Sequence, residues 1–328
     1  MTESAVKVKR HKNKIEKNYF GYLFTAPFII VFLVFSLYPL VYTLYLGFTN
    51  TTQMSEVHKI VGLKNYTDLL SDKFFWQSLL NTWKIWLLNF IPQIGIAMLL
   101  SVWFTNNRLR LKGVGIWRVI YYLPNLLMPA TIAVLFFNFF SMYGPVNQIL
   151  GRMDLIQKGV DFFRSEGWTQ GIVIFVQWWM WFGQTIIILM AGMTSVSPSY
   201  YESAMVDGAT ARQMFNKITL PLLKPILVYT LVTSLVGGMQ MFDIPYMMTD
   251  GRGSPNGSIM TMNILMYMKL SSSKGHIGAA ASVGVMIFII TGIVAFGIMR
   301  ALRDKDPDGI GASSKRDRKR FKKGAARV

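Results

Sequence analysis

Few residues in this chain have the types and spacing that catalysis requires. The 328 residues include no cysteine, which excludes thiolate chemistry, disulfides and iron–sulfur clusters. No GxxxxGK[ST], HExxH or GxSxG pattern occurs, so the sequence offers no phosphate cradle, zinc-protease helix or serine nucleophile. The histidines, His11, His58 and His276, lie far apart and do not predict a shared metal site. The chemistry that remains is non-covalent binding.

Two groups of side chains have the types that bind a ligand without reacting with it. The candidates are Trp178, Trp181, Thr185, Ser234, Gln240, Met241 and Asp243. Trp178, Trp181 and Thr185 share one helical face through their i, i+3, i+7 spacing, and Ser234 and Met241 share another. Aromatic faces and hydrogen-bonding groups suit a ligand with C–H faces and hydroxyls. Helix packing and an aromatic belt at a membrane interface remain the alternative explanation.

The elements that would position these residues are long apolar segments. The chain is 52% hydrophobic and 15% charged, whereas soluble domains carry about a quarter charged residues. The apolar residues form blocks of about 20 or more, the length a helix needs to cross a bilayer. The sequence therefore predicts an all-α integral membrane protein with six transmembrane helices. The predicted spans are about 20–48, 78–104, 117–140, 168–194, 222–248 and 278–300.

Positive charge predicts how these spans are oriented. Most of the 34 Lys and Arg residues lie before the first span, in the second-to-third and fourth-to-fifth loops, and from residue 300 onward. Since Lys and Arg favour the cytoplasmic side, both termini are predicted to be cytoplasmic, in agreement with an even number of spans. The first apolar run is longer than the core of a signal peptide, and we expect a retained anchor.

Two basic segments, 1–19 and 301–328, flank the membrane region at 20–300. The tail sequence KRDRKRFKK at 315–323 is predicted to be a disordered topology anchor that also attracts anionic membrane lipid. No nucleic-acid recognition motif accompanies the net charge of +18. We therefore expect no nucleic-acid partner.

Charged side chains are sparse inside the predicted spans. Lys84 and Asp243 are both near predicted outer ends. Lys84 fits snorkelling to the interface better than proton relay, and Asp243 fits either a ligand contact or an interfacial cap. Ion-coupled transporters usually bury charged groups near the bilayer centre. The spans thus resemble a transport path without its own energy source, which points to an energising cytoplasmic partner.

A polar segment separates the fourth and fifth predicted spans. Residues 201–225 read YESAMVDGATARQMFNKITLPLLKP. A start signal at Pro198 and a break at Gly208 predict one short helix, and a second follows over about 210–218. We expect LPLLKP at 220–225 to halt regular structure and to fix the angle at which span five begins. The segment is either an interfacial helix or a docking surface for a partner.

This segment resembles the EAA loop of ABC-transporter permeases, here at 198–225. The family pattern is Glu-Ala-Ala, a Gly a few residues on, and then Ile-x-Leu-Pro. The matching positions are Glu202, Ala204, Gly208, Ile218, Leu220 and Pro221, with Ser203 in place of the middle Ala. The segment 241–267 is similar to the region after the fifth span of sugar and oligosaccharide permeases, although Arg252 replaces a Gly of its turn. The resemblance covers most of 20–300 and neither basic end.

The resemblance implies a type I ABC importer permease fold and a transport subunit rather than an enzyme. It implies that ATPase coupling rests on Glu202, Ala204, Asp207, Gly208, Ala209, Leu220 and Pro221. The implied partners are ABC ATPase subunits, a second permease in a heterodimer and an extracytoplasmic solute-binding protein that delivers a sugar or oligosaccharide. No cofactor is expected on this chain, since ATP and Mg would bind the ATPase. The implied location is the bacterial cytoplasmic membrane.

Several other functions fit the sequence less well. A glycerol-phosphate-type substrate within the same family stays open. An ion-coupled secondary transporter would leave the EAA-like loop unexplained and calls for buried coupling charges. An importer of amino acids or phosphate is disfavoured by the 241–267 segment, and a membrane glycosyltransferase would call for clustered acidic residues at one membrane face.

Overall fold

The computed structural model describes residues 19–54, 59–106, 109 and 111–302. These residues form helices and no β-strand beyond an isolated antiparallel bridge between Thr49 and Ile60. The two predicted basic ends lie almost wholly outside the described residues, at 1–18 and 303–328. In chain order the α-helices are α1 (Tyr19–Phe32), α2 (Tyr38–Gly47), α3 (Lys64–Ser71), α4 (Lys73–Thr105), α5 (Val114–Tyr122), α6 (Pro129–Phe139), α7 (Pro145–Arg152), α8 (Glu166–Thr194), α9 (Pro198–Val206), α10 (Ala211–Met214), α11 (Leu220–Met239), α12 (Asp243–Met247), α13 (Met262–Leu270) and α14 (Ile277–Leu302).

Short turns of other helix types interrupt this series. They are π-helical at Leu33–Leu37 and Phe215–Thr219, and 3₁₀-helical at Leu123–Leu126 and Phe162–Arg164. Five continuous stretches are long and apolar enough to cross a membrane: Gly21–Gly47, Lys73–Thr105, Glu166–Thr194, Ala211–Met247 and Ile277–Leu302. A bent helix pair raises the number to six if it counts as one span. The all-α membrane fold is thus confirmed, with five or six candidate spans in the described part of the chain.

The third predicted span, 117–140, is wrong as a single straight helix. Val114–Leu126 and Pro129–Phe139 meet at a bend of 93°. Met128 lies at the bend with φ −66° and ψ 125°, an extended conformation. A residue that precedes proline is pushed out of the helical region by the proline ring, and Pro129 exerts this effect on Met128.

The expectation that LPLLKP halts regular structure is also wrong. Helix α11 begins at Leu220 and contains both Pro221 and Pro225. Pro221 stands in the first turn of α11, where its fixed φ suits a helix. Just before it, the π turn lets the Leu220 N–H donate to the Phe215 carbonyl, so the helical path continues through the proline-rich stretch.

Helices α4, α8 and α11 pack against one another and enclose a cavity. Two glycines permit close approach. A Cβ on Gly183 of α8 would meet the backbone oxygen of Tyr121, and a Cβ on Gly238 of α11 would meet the indole ring of Trp86. These contacts hold α8 against α5 and α11 against α4.

Candidate functional site

A cavity of about 310 Å³ lies among α4, α8 and α11. Amides, hydroxyls and indoles provide its polar lining. These polar residues are Trp86, Asn89, Gln93, Gln177, Trp181, Gln184, Thr185, Thr230, Thr233, Ser234 and Gln240. The cavity lining holds no charged side chain, and the described residues hold no group of three His, Asp or Glu that could bind a metal ion. The arrangement can therefore bind a ligand through hydrogen bonds and aromatic contact, without metal coordination by such a group.

Two hydrogen bonds between side chains fix the walls of the cavity. The Gln93 amide on α4 donates to the Thr185 hydroxyl on α8 at 2.7 Å. The Trp86 indole N–H, also on α4, donates to the Ser234 hydroxyl on α11 at 3.1 Å. Because these bonds join three different helices, any change in the spacing of the helices alters the shape of the cavity.

The structure brings together five of the seven residues proposed from sequence for ligand contact. Trp181, Thr185, Ser234, Gln240 and Met241 all line the cavity.

The other two lie elsewhere. Trp178 is absent from the lining, and its ring stacks on Phe182 with the centroids 5.0 Å apart. Asp243 is exposed at the first position of α12 and is also absent from the lining. Helical spacing placed Trp178 on the same face as Trp181, but it did not reveal that α5 covers part of that face.

Sequence reasoning missed the contribution of α4 to the cavity. Trp86, Asn89 and Gln93 all line it and are spaced i, i+3, i+7. This is the same spacing that singled out Trp178, Trp181 and Thr185 on α8. The signal was therefore present in the sequence, in a span where the sequence analysis singled out Lys84 alone.

The polar segment after α8 is a compact helix–turn–helix. Helix α9 ends at Val206, and Gly208 stands two residues beyond it with φ +73°. The Gly208 N–H donates to the Met205 carbonyl at 3.1 Å, and the Ala209 N–H donates to the Ala204 carbonyl at 2.8 Å. This pair of bonds is the Schellman motif, which needs a left-handed residue and therefore favours glycine.

Side-chain hydrogen bonds also fix the start of the next helix, α10. Thr210 caps α10, because its hydroxyl accepts from the Gln213 N–H at 3.3 Å and the Gln213 side-chain oxygen accepts from the Thr210 N–H at 2.8 Å. This reciprocal capping box satisfies donors at the helix start. Sequence analysis did not identify it, although the Thr-x-x-Gln pattern was readable. Asp207–Thr210 is therefore held by hydrogen bonds from both sides.

The segment has an exposed face and a face packed against the chain. Glu202, Asp207 and Gly208 are exposed, as are Leu220 and Pro221, whereas Ala204 and Ala209 are half-buried. Val206 is 89% exposed, the highest value among the exposed large hydrophobic residues, and Met205 is 41% exposed. Val206 therefore lies beside two carboxylates on the outer face of the segment.

A part-buried hydrogen bond links α9 to the π turn that precedes α11. The Tyr201 and Thr219 hydroxyls lie 2.9 Å apart, and Thr219 is 7% exposed. Tyr201 thus holds α9 on the π turn that leads into α11. Sequence analysis identified neither residue as a contact.

This contact yields a double-mutant prediction. We expect Tyr201→Phe and Thr219→Val each to remove the same hydrogen bond, worth about 0.5–1.5 kcal/mol. Each variant should lower the apparent Tm by the same amount, and the double variant should be no less stable than either. Purely additive losses of Tm would contradict a direct Tyr201–Thr219 coupling.

The two helices that flank this segment also line the cavity. Helix α8 ends at Thr194, and three residues separate it from α9. Helix α10 continues through the π turn into α11. Both α8 and α11 contribute lining residues. The segment is therefore joined to the cavity walls through two helices.

Comparison with known proteins adds the following similarities. A family model described as a binding-protein-dependent transport system inner membrane component matches residues 72–305. The lactose transport system permease protein LacF of Rhizobium radiobacter is 30% identical over 285 residues, which cover 87% of this chain and 94% of that protein. The arabinooligosaccharides transport system permease protein AraP of Bacillus subtilis (strain 168) is 30% identical over 280 residues, covering 84% of this chain and 85% of that protein. A solved bacterial ABC transporter involved in the import of the acidic polysaccharide alginate includes a chain of similar fold, with a TM-score of 0.72, 24% identity, and coverage of 88% of this chain and 96% of that one.

Proposed function

Because the chain belongs to the family of binding-protein-dependent transport system inner membrane components, we propose that it is a permease subunit of an ATP-driven importer. Its cargo is a sugar or oligosaccharide, as the names of the relatives for lactose and arabinooligosaccharides suggest. It is a transport subunit rather than an enzyme. It resides in the bacterial cytoplasmic membrane as a six-span protein with both termini in the cytoplasm, the bent pair of α5 and α6 counting as one span.

One observation carries this proposal: α8 and α11, which line the cavity, are also the helices that flank the exposed helix–turn–helix. An importer needs a cytoplasmic contact for the ATPase and a mechanical link from that contact to the substrate path. The exposed contact face consists of Glu202, Val206 and Asp207. The Schellman motif at Gly208 restricts the backbone conformation of the turn. Coupling between distant sites requires an element with few alternative conformations, which the double-capped turn supplies.

The remaining parts of the machine lie on other chains. ABC ATPase subunits bind the exposed face and hold ATP and Mg. A second permease completes the path as a heterodimer, and an extracytoplasmic solute-binding protein delivers the sugar. A solved relative of the fold supports this last partner, since the alginate transporter has been determined in complex with a periplasmic protein that holds an alginate pentasaccharide.

Gentle detergent extraction of this chain from its native membrane, followed by mass spectrometry, tests the assembly. We expect to recover an ATPase with a phosphate-binding loop, a second permease and a solute-binding protein. Recovery of the chain alone, with uptake that survives ATP depletion and collapses with the ion gradient, would replace the proposal with a secondary transporter.

A further inference from the structure

The described lining that this chain gives the cavity supplies no group that would neutralise a charged ligand. None of its lining side chains is ionisable within the described part of the chain. Lys84 precedes the lining residues of α4, but it is exposed and does not line the cavity. Its ammonium donates to the Gln170 amide oxygen at 2.6 Å. A charge moved from water into such a site loses hydration without gaining a partner, which is strongly unfavourable.

Asn89 is a polar side chain of the cavity that the protein leaves unsatisfied. It lines the cavity, it is 5% exposed, and its Oδ1 has no hydrogen-bond partner. Buried polar atoms are nearly always paired, and an orphan of this kind calls for an explanation. A rotation about the terminal bond of the amide lets it present either its oxygen or its NH₂ group to a ligand.

Several neighbouring polar side chains already form hydrogen bonds within the protein. Gln93 donates to Thr185, and Trp86 donates to Ser234. The Thr230 hydroxyl donates to the Ile226 carbonyl at 2.8 Å. These bonds hold the walls of the cavity in place. Asn89 differs from these residues because its Oδ1 receives no hydrogen bond from the protein.

Resting on the proposed function, we propose that this permease selects uncharged polyhydroxylated ligands, such as neutral sugars, over anionic ones, and that Asn89 hydrogen-bonds a ligand hydroxyl. Amides and hydroxyls each donate and accept, as a sugar hydroxyl does. An ionised phosphate or carboxylate group only accepts hydrogen bonds, so it would leave the amide oxygens of the cavity without a donor. Its negative charge would also have no positive partner in the lining. The fold by itself does not set ligand charge, since a chain of similar fold serves an importer of an acidic polysaccharide.

The test uses the whole transporter, with its ATPase, second permease and binding protein, in proteoliposomes. Uptake is measured for neutral sugars (lactose, trehalose, arabinotriose) and for anionic compounds (glycerol 3-phosphate, digalacturonate). Since the binding protein also selects ligands, the same compounds at millimolar concentration are tested for raising the apparent Tm of the permease–ATPase complex without it. We expect neutral sugars alone to be transported and to raise the Tm.

Asn89 variants test the residue itself. Asn89→Leu keeps the side-chain volume and removes its hydrogen bonds, and we expect the sugar concentration for half-maximal Tm shift to rise by about 3–10-fold. Asn89→Gln should restore part of the affinity. Asn138→Leu, at an exposed asparagine outside the cavity, is the matched control and should leave the sugar dependence unchanged. Basal ATP hydrolysis should be unchanged in Asn138→Leu.

The outcomes separate this inference from the proposed function. Transport or stabilisation by an anionic compound as strong as that by a neutral sugar overturns the charge selectivity, while the importer function stands. An unchanged sugar dependence in Asn89→Leu overturns the role of Asn89. Absence of ATP-dependent uptake for every compound of both classes overturns the proposed function itself.

Discussion

Gly208→Val is expected to lower substrate-stimulated ATP hydrolysis of the assembled importer by about 5–30-fold, while the chain still inserts into the membrane. Gly208 has φ +73°, and no atom lies within 4 Å of where its Cβ would stand, so the loss comes from backbone conformation and not from a clash. A left-handed conformation costs an ordinary L-residue about 1–2 kcal/mol, and a β-branched one more. That energy corresponds to a 5–30-fold change in the ratio of the native turn to its other conformations. The measurement is the ATPase rate with and without substrate-loaded binding protein.

Gly208→Asn provides the matched control at the same position. Asparagine adopts the left-handed region far more readily than valine, so we expect this variant to retain most of the stimulation. Equal losses for asparagine and valine would show that the surface at Gly208, and not the turn geometry, matters for coupling.

Gly183→Ala is expected to cause the largest loss of stability among single methyl additions in the bundle. The new Cβ would meet the Tyr121 carbonyl and lie 3.0 Å from the Tyr122 Cα, and a backbone cannot rotate away as a side chain can. Overpacking costs about 1–3 kcal/mol, and we expect the upper part of that range here. The measurement is the apparent Tm and the yield of monodisperse protein in detergent.

Gly171→Ala on the same helix is the control for Gly183→Ala. No atom lies within 4 Å of a Cβ at Gly171, so this variant gains helix propensity without a clash and should be as stable as the wild type or slightly more stable. A wild-type Tm for Gly183→Ala would contradict the close contact of α8 with α5.

The long spans were predictable because their length and apolar content dominate the sequence signal. The predicted spans at 78–104, 168–194 and 278–300 coincide with α4, α8 and α14 to within a few residues. The bend between α5 and α6 was missed because hydropathy does not respond to backbone direction. Its cause was visible in the sequence, where Pro129 forces Met128 out of the helical conformation.

The helix–turn–helix was largely predictable, whereas its anchoring was not. Gly208 predicted a turn because glycine tolerates positive φ, and Pro198 predicted where α9 begins. The bond between Tyr201 and Thr219 joins residues on different elements, so no local spacing rule reveals it. The cavity shows the same limit, since only packing decides that Trp181 faces it and Trp178 does not.

Among the residues that the structure describes, no ionisable group lines the cavity, and this has an electrical consequence. An uncharged ligand that crosses such a path moves no net charge through the membrane field, so the transmembrane voltage does no work on it, in contrast to about 2.3 kcal/mol per elementary charge at 100 mV. All of the energy from ATP is then available for accumulation against a concentration gradient. Import by this chain should therefore proceed at the same rate in polarised and in depolarised vesicles, as long as the ATP supply is equal.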